Sequence, residues 1–301
     1  MFEFFKKLKE RVEDNAMNAG KIHALSMKFI PRLTDISDAE FKVFSQWGED
    51  GIIQYIISRI DIPDKTFIEF GVESYIEANT RFLLMNNNWR GIVMDGSRKN
   101  IEKIKRDRIY WRYEIHLIHS HITRNNINEL IKRYTQSSDV GLLSIDIDGN
   151  DYWIWKEIHV IQPRIVICEY NGLFGNQHAV TIPYQENFSR KKAHFSNLYF
   201  GASLSALCHL AHEKGYDFIG CNSNGNNAFF IRKDLSSAFN ITDPIKGFVY
   251  PLFRESRGKN GRFNFISGEE RIKSISHLEV YDIKREKTVF IKELLNDGHD
   301  G

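Results

Sequence analysis

The sequence is poor in cysteine, in proline and in long hydrophobic runs. It has three cysteines and six prolines among 301 residues. The cysteines are scattered and odd in number, which argues against a disulfide framework or a zinc site and favours small buried side chains in a reducing cytosol. They are Cys168, Cys208 and Cys221. No apolar run approaches the length of a membrane span. We therefore expect a cytoplasmic protein without a transmembrane segment.

An excess of charge of one sign is also absent. Basic residues number 41 and acidic residues 39, so the charge balance gives no reason to predict a nucleic-acid partner. Hydrophobic residues make up 42% of the chain and aromatic residues 13%. This composition suits an enzyme with one large domain, or with one domain and a small appendage.

The first residues carry charges throughout, so we do not expect them to form a signal peptide. Phe5, Leu8 and Val12 share one face of a predicted helix, which lysines flank. One hypothesis is that residues 1–14 contact a membrane surface. The other, which four acidic residues in this stretch favour, is that the helix packs on its own domain or on a partner subunit of a homo-oligomer. We treat residues 1–43 as an N-terminal helical extension.

From residue 65 onward, short β-rich runs alternate with stretches of helical spacing. The predicted strands are 65–72, 90–97, 114–122, 140–148 and 164–171. The predicted helices are 77–87, 98–107, 125–135, 152–158 and 202–215. Because the strands are nearly continuous apolar runs, the alternation predicts an α/β fold with a doubly wound, Rossmann-like and mostly parallel sheet, covered by helices on both faces.

The chain changes character after the fifth strand. Residues 171–201 are polar, aromatic and long for a loop, so we interpret them as a substrate-binding segment or lid. Residues 216–235 predict two strands joined by a turn, and a parallel sheet finished by such an antiparallel hairpin is typical of S-adenosylmethionine (SAM) methyltransferases. We assign 44–235 to a methyltransferase-like domain and 236–301 to a C-terminal extension packed on it, with a further strand at 277–283.

Polar residues gather at the carboxyl ends of the predicted strands. Ligands of doubly wound sheets bind beyond these ends, where the strand order reverses, so the gathering predicts a site. Its members in chain order are Glu69, Gly71, Glu73, Asp95, Ser97, His121, Asp146, Asp148, Glu169 and Asn171. Asp95 stands 24 residues after Gly71. An acidic residue at the end of the second strand, about 20 residues beyond the first turn, can accept the ribose hydroxyls of a nucleoside cofactor. The alternative is that Asp95 caps a helix.

The first turn has one glycine where a dinucleotide fingerprint needs three. A pyrophosphate would not fit closely against the Glu73 and Tyr75 side chains, and acidic groups would repel it. This argues against NAD and favours a cofactor without phosphates. SAM fits, since its ammonium and sulfonium groups are cationic.

Residues 142–153, LLSIDIDGNDYW, place three carboxylates just after a buried strand. Since strand side chains alternate, Asp146 and Asp148 are expected to point the same way. With Glu169 and Asn171 they form an oxygen set that suits Mg²⁺ or Mn²⁺, and such an ion would lower the pKa of a substrate hydroxyl. The alternative is that the carboxylates cap the next helix. We favour capping for Asp151 and leave both roles open for Asp148.

A general base is harder to identify. His178 lies in the predicted lid and is the best candidate, and His194 follows it. A lone loop histidine is more often a surface residue.

Five segments in order resemble the FkbM-like SAM-dependent methyltransferases, and more closely a branch found among bacterial surface-glycan biosynthesis proteins. The resemblance covers roughly residues 40 to 235. The segments are FSQWGEDGIIQYI (44–56), FIEFGVESYIEANTRFLL (67–84), NWRGIVMDGS (88–97), LLSIDIDGNDYWIW (142–155) and GYDFIGCNSNGNNAFFIR (215–232).

The resemblance implies roles for individual residues. Glu69 and Gly71 would hold the amino-acid end of the cofactor, and Asp95 its ribose. The remaining positions that match the family's pattern are Ser45, Gln46, Asn79, Thr80 and Asp146, with Gln46 facing the cofactor pocket.

Two departures from the family pattern stand out. The second glycine of the cofactor turn is missing, with Glu73, Ser74 and Tyr75 in that region. The usual Asp-x-Glu-Gly appears as the sequence DIDG at 146–149, whose shorter second carboxylate leaves room for an ion.

Three hypotheses follow. The first is a SAM-dependent O-methyltransferase that acts on a sugar hydroxyl of a glycan or nucleotide sugar, with Asp148 orienting or deprotonating that hydroxyl, with or without a metal. The second is a glycosyltransferase that binds a sugar nucleotide through Mn²⁺ on the Asp-x-Asp at 146–148. The third is a non-catalytic scaffold in glycan assembly, which a cofactor pocket blocked by the Tyr75 side chain would support.

Overall fold

A seven-stranded, mostly parallel sheet forms the centre of the molecule, and a three-stranded antiparallel sheet lies apart from it. The computed structural model describes residues 2–296. The strands are β1 (Thr66–Phe70), β2 (Arg90–Asp95), β3 (Ile115–His119), β4 (Leu142–Ile145), β5 (Ile165–Glu169), β6 (Val180–Thr181), β7 (Tyr216–Cys221), β8 (Asn227–Arg232), β9 (Glu279–Asp282) and β10 (Lys287–Phe290).

The central sheet has the order β3-β2-β1-β4-β5-β8-β7. The strand order reverses between β1 and β4, where Phe67 pairs with Gly91 on one side and Leu142 on the other. β8 runs antiparallel to both β5 and β7. The predicted doubly wound, mostly parallel sheet with a closing hairpin is confirmed. The predicted boundaries are too wide, since β4 ends at Ile145 and not at residue 148.

Helices cover both faces of this sheet. They are α1 (Phe2–Ser26), α2 (Glu49–Ile57), α3 (Arg81–Asn87), α4 (Arg98–Arg106), α5 (Ile109–Arg112), α6 (Ile127–Lys132), α7 (Asp151–Glu157), α8 (Arg190–Ala193), α9 (Leu204–Glu213), α10 (Glu269–Ile275) and α11 (Ile291–Asn296). One core packs α6, α7 and α9 on the sheet around Trp155, and the other packs α2, α3 and α4 around Tyr55. Burying each such large side chain contributes roughly 1.5–3 kcal/mol, which fixes both helix layers on the sheet.

The N-terminal helix α1 packs on the domain through one face. Met17 belongs to an apolar cluster with Phe44 and Phe82, and a side chain on Gly20 would collide with Val43. The apolar face predicted from the sequence is a different one, because Phe5 and its neighbours along the helix are exposed. Packing on the domain is therefore observed, but not through the predicted face. Within residues 2–296, no helix combines the length and apolarity that a membrane crossing requires.

The predicted lid and the C-terminal extension form one structural unit. β6, from 171–201, pairs with β9, from 236–301, and β9 pairs with β10. A separate apolar cluster that includes Val180, Leu198 and Val280 lies beneath this small sheet. Residues 171–201 are thus held by a core of their own, and we call them together with 236–296 the cap unit.

Candidate functional site

The site lies where β1 and β4 end side by side. Gly71 follows β1 with φ +73°, and its N–H donates to the Met94 carbonyl at 3.0 Å. A Cβ on Gly71 would lie 1.5 Å from the Asp146 carbonyl oxygen. Only glycine allows the two strand ends to approach this closely.

Glu69 holds the turn that follows β1. Its carboxylate accepts the N–H of Asn79 at 2.9 Å, the N–H of Thr80 at 3.2 Å and the Thr80 hydroxyl. Burial raises the pKa of Glu69 to about 7, although these hydrogen bonds oppose the shift. The Asn79 amide donates to Ser144 Oγ at 3.1 Å. The resemblance implied cofactor contacts for these residues, but the structure uses Glu69 and Thr80 to shape the turn.

The glycine-poor part of the turn adopts left-handed backbone conformations without glycine. Glu73 has φ 49° and Tyr75 has φ 58°, and each such residue costs roughly 1–2 kcal/mol. The Tyr75 side chain is fully buried in the core, and its hydroxyl lies 2.8 Å from Thr80 Oγ1. It therefore points away from the ligand cavities and does not block them.

Asp95, at the end of β2, joins this turn to the next helix. Its Oδ2 accepts the Glu73 N–H at 2.8 Å, and its Oδ1 accepts the Ser97 N–H at 2.7 Å and the Asn100 amide at 3.1 Å. Ser97 caps α4 and does not line the cavity, which corrects its predicted cofactor contact. Asp95 does line the cavity, and Oδ2 keeps a lone pair free because it accepts a single hydrogen bond.

Two cavities meet at the switch in strand order. The first cavity, of about 270 Å³, is lined by Gly71, Glu73, Asp95, Asn100, His121 and Asp146, among others. His121 is exposed, and its Nε2 lies 2.7 Å from the Glu186 carbonyl oxygen. The second cavity, of about 520 Å³, shares Gly71, Glu73, Asp146 and Asp148 with the first. A molecule in one cavity would therefore face a molecule in the other.

Asp146, Asp148 and Glu169 form an acid cluster, with one oxygen of each lying within 4.8 Å of the others. Burial, and then the neighbouring carboxylates, raise the pKa values of Asp146 and Glu169 well above their usual range. Glu169 Oε2 is buried without a hydrogen-bond partner. The strand alternation expected for Asp148 does not hold, since Asp148 follows β4 in a left-handed turn with φ 58°. The turn still brings its carboxylate to the cluster.

Arg190 and Glu255, both in the cap unit, belong to the same site and were missed by the sequence analysis. Arg190 Nη1 donates to Asp148 Oδ1 at 2.9 Å, and Nη2 donates to Glu255. Its guanidinium lies 3.5 Å from the centre of the Phe200 ring. Burial alone would lower the pKa of Arg190, but Glu169, Glu255 and Asp148 raise it. The only sequence signal was that Arg190 lies in the predicted substrate segment.

Two predictions near the acid cluster are resolved. Asn171 accepts the Leu173 N–H and donates to the carbonyls of Leu198 and Phe200, so its amide supports the backbone of the cap unit. These backbone contacts occupy both ends of the amide, and they give no support to its predicted role as a metal ligand. The preferred structural role of Asp151 is confirmed, because its buried carboxylate accepts two N–H groups of the turn before α7.

The structure brings neither histidine candidate to the acid cluster. His178 lies before β6, where its carbonyl accepts the Ser203 hydroxyl, and it does not line either cavity. His194 is buried, with Nδ1 2.7 Å from Ser196 Oγ. The assignment of His178 as general base is corrected on these grounds.

The segment 43–50 forms a wall of the second cavity. Asp50 accepts three consecutive backbone N–H groups, and Glu49 accepts two more as well as two side-chain amides of the β7–β8 hairpin. These two buried carboxylates present Gln46 and Trp47 to the cavity, and Trp47 stacks on Phe253 at 6.0 Å between ring centres. Gln46 thus faces the second cavity and not the first.

Comparison with solved structures finds methyltransferases at low similarity. No family model and no curated protein matches the chain. TrmK of M. capricolum, solved with S-adenosylhomocysteine (SAH), is 14% identical over 60% of this chain and 65% of that one, with a TM-score of 0.34. An O-methyltransferase from Bacillus cereus, also with SAH, is 12% identical over 56% and 72%, with a TM-score of 0.37. The plantazolicin methyltransferase BamL is 12% identical over 72% and 69%, with a TM-score of 0.34.

The aligned region thus spans less than two thirds of the M. capricolum protein. The α/β fold class rests on the strand order of the chain itself.

Proposed function

We propose that the protein is a SAM-dependent O-methyltransferase acting on a sugar hydroxyl in bacterial surface-glycan or related glycoconjugate biosynthesis. The observation that carries the proposal is the junction of two cavities at the strand switch, with Asp146 and Asp148 lining both. One cavity suits a cofactor and the other an acceptor, and the reacting groups would meet between them.

The donor set of the first cavity suits SAM. Asp95 has the position and a free lone pair for a ribose hydroxyl, and the Glu73 carboxylate favours the ammonium group at the amino-acid end. Bound there, SAM would supply a methyl group on a positively charged sulfur. Because Gly71 has no side chain, its backbone lies close to the Asp146 carbonyl, and both residues line the cavity in which the ligand would bind.

The second cavity suits a sugar. The stacked rings of Trp47 and Phe253 offer an apolar wall, and the acid cluster offers hydrogen-bond acceptors for hydroxyl groups. Asp148 would orient the reacting hydroxyl and accept its proton, and Arg190 would hold the Asp148 carboxylate in place.

We further propose that the acid cluster can bind a divalent metal ion. Asp146, Asp148 and Glu169 offer three hard oxygens, and the unpartnered Glu169 Oε2 suits Mg²⁺ or Mn²⁺. Arg190 competes for Asp148, so an ion would have to displace one of its hydrogen bonds.

A glycosyltransferase is the second candidate, favoured by the proximity of both aspartates of the Asp-x-Asp to Glu169. It leaves Asp95 and the first cavity without a role. The scaffold hypothesis has less support, because Tyr75 points into the core.

The deciding experiment is calorimetric titration of SAH into the protein, with and without Mg²⁺, compared with Asp95→Asn and with the exposed control Asp38→Asn. We expect SAH binding that Asp95→Asn weakens and Asp38→Asn preserves. Thermal melts check that both variants fold. If SAH fails to bind in either buffer while a nucleotide sugar binds with Mn²⁺, the glycosyltransferase is the better assignment.

A further inference from the structure

A third cavity, of about 450 Å³, is lined by cations. Lys191, Arg257 and Lys259 contribute the charged side chains, and Phe195 and Asn197 contribute to the wall. We call it the basic cleft. Its two segments, 187–201 and 256–268, contain no aspartate or glutamate.

The basic cleft is built by specific contacts. The Arg257 N–H donates to the Ser196 carbonyl at 3.2 Å, which holds the two segments together. The Arg257 side chain donates to the Gly261 carbonyl at 3.0 Å and lies 4.3 Å from the centre of the Phe263 ring. Within residues 2–296, none of the three cations forms an ion pair with a carboxylate.

The basic cleft adjoins the second cavity. Arg190 and Lys191 are consecutive in α8 and line the second cavity and the basic cleft respectively. Arg190 Nε donates to the carbonyl of Asn197, which lines the cleft. Phe263 lines the second cavity on the other side of Arg257. The second cavity and the basic cleft are therefore built from neighbouring residues of the cap unit.

The charges of the two sites are opposite. The second cavity is lined by six carboxylates and two guanidinium groups, and the basic cleft by three cations. An anionic group on an extended ligand would be attracted to the three cations of the cleft, since acidic side chains outnumber the two guanidinium groups in the second cavity. Lysine and arginine are the side chains that recognise phosphate.

We propose that the basic cleft binds a phosphate group carried by the acceptor whose sugar occupies the second cavity. The inference rests on the proposed function, because that function makes the second cavity the acceptor site. The acceptor would be a sugar linked to a phosphate or diphosphate, and the charge contrast would fix which end enters first. The phosphate could belong to a soluble nucleotide sugar or to a sugar linked to a lipid phosphate.

The test compares the double variant Lys191→Gln/Lys259→Gln with the matched double variant Lys132→Gln/Lys287→Gln, whose lysines are exposed elsewhere. Inorganic pyrophosphate is titrated into each by calorimetry, and SAH is titrated in parallel. We expect the first variant to bind pyrophosphate about tenfold more weakly than the control, since two charge-assisted contacts are lost. SAH affinity should be the same in both.

Equal pyrophosphate binding by the two variants, or no binding by the unmodified protein, would overturn the proposal. Weakened pyrophosphate binding in a protein that does not bind SAH would keep the basic cleft and reject the methyltransferase. UDP-glucose and phosphatidylcholine vesicles with or without polyprenyl phosphate then distinguish the sources. Binding of UDP-glucose, or of vesicles that contain polyprenyl phosphate, supports the proposal if it is weaker in the Lys191→Gln/Lys259→Gln variant. The ligand that binds then identifies the phosphate as that of a nucleotide sugar or of a lipid.

Discussion

Arg190 and Asp148 form a hydrogen-bonded ion pair, 2.9 Å from Nη1 to Oδ1, that joins the cap unit to the turn after β4. Arg190 is nearly buried, whereas the Asp148 side chain is 66% exposed. The pair therefore presents a carboxylate of fixed orientation to the junction of the two cavities. Arg190 places a positive charge where a metal ion would otherwise bind.

Arg190→Gln should strengthen Mn²⁺ binding at the acid cluster. Removing the guanidinium frees Asp148 and removes a repulsive charge, so we expect about tenfold tighter binding, or about 1.4 kcal/mol. Calorimetry with Mn²⁺ measures this, with the exposed Arg98→Gln as control. Weaker binding in Arg190→Gln would mean that Arg190 organises the cluster for the ion and does not compete with it.

Gly71→Ala should lower the free energy of unfolding by more than the left-handed backbone conformation alone would cost. Gly175 is a matched control, since its φ of 69° is close to the 73° of Gly71 but its surroundings are open. Gly175→Ala should cost about 1–2 kcal/mol for the left-handed backbone. Gly71→Ala should cost about 1–3 kcal/mol more, because the new methyl group meets the Asp146 carbonyl. Urea unfolding gives both free energies, and equal losses would refute the close approach.

Stability should fall as pH rises from about 5 to 8. Burial raises the pKa of Glu69 to about 7, above its ordinary value, so the folded protein binds this proton more tightly than the unfolded chain does. The stabilisation is complete below the ordinary pKa of glutamate and is lost as pH rises through 7. The loss for this group is at most about 1.4 kcal/mol per pH unit.

The control for this pH dependence is a pair of variants. Glu69→Gln should flatten the dependence of the free energy of unfolding on pH, while the exposed Glu270→Gln should leave the slope unchanged. Urea denaturation at several pH values measures the slope. An unchanged slope in Glu69→Gln would show that Glu69 does not hold a proton in the folded state near neutral pH.

Tyr75→Phe should lower stability without affecting SAH binding. Its hydroxyl loses a hydrogen bond with Thr80, at a cost of about 0.5–1.5 kcal/mol. Since the ring points into the core, the first cavity keeps its shape. Calorimetry and thermal melting test the two parts separately. A change in SAH affinity that exceeds the loss of stability would indicate that Tyr75 contacts the ligand.

The sequence predicted the parallel sheet well, because its buried strands and amphipathic helices have strong local patterns. It located Asp95, Asp146, Asp148 and Glu169 near one another, since strand ends of one sheet share an edge. It failed where roles depend on hydrogen-bond partners that are distant in sequence. Asn171 has an amide oxygen that could bind a metal ion, but its amide nitrogen donates to the carbonyls of Leu198 and Phe200, which are distant in sequence.

Arg190 and Glu255 are site residues that the sequence did not predict, because their contacts also join distant parts of the chain. Their pairing joins the four-residue helix α8 to an irregular segment, and neither has a periodic pattern that the sequence would reveal. The small sheet that unites these segments depends on the two-residue strand β6, which is too short to give a signal. Contacts between distant segments that lack a periodic pattern therefore could not be predicted from the sequence.

The pairing of β6 with β9 holds the cap unit together, so the central sheet and the cap unit supply different parts of the candidate site. The parallel sheet carries most of the first cavity, whereas the cap unit supplies Arg190, Phe253, Glu255 and the basic cleft. The cap unit has an apolar cluster of its own around Val180, while Ala179 and Phe239 anchor it to the cores of the central sheet. If the first cavity holds SAM as proposed, exchanging the cap-unit loops that carry Arg190 and Glu255 would change the choice of acceptor and leave the cofactor site on the parallel sheet intact.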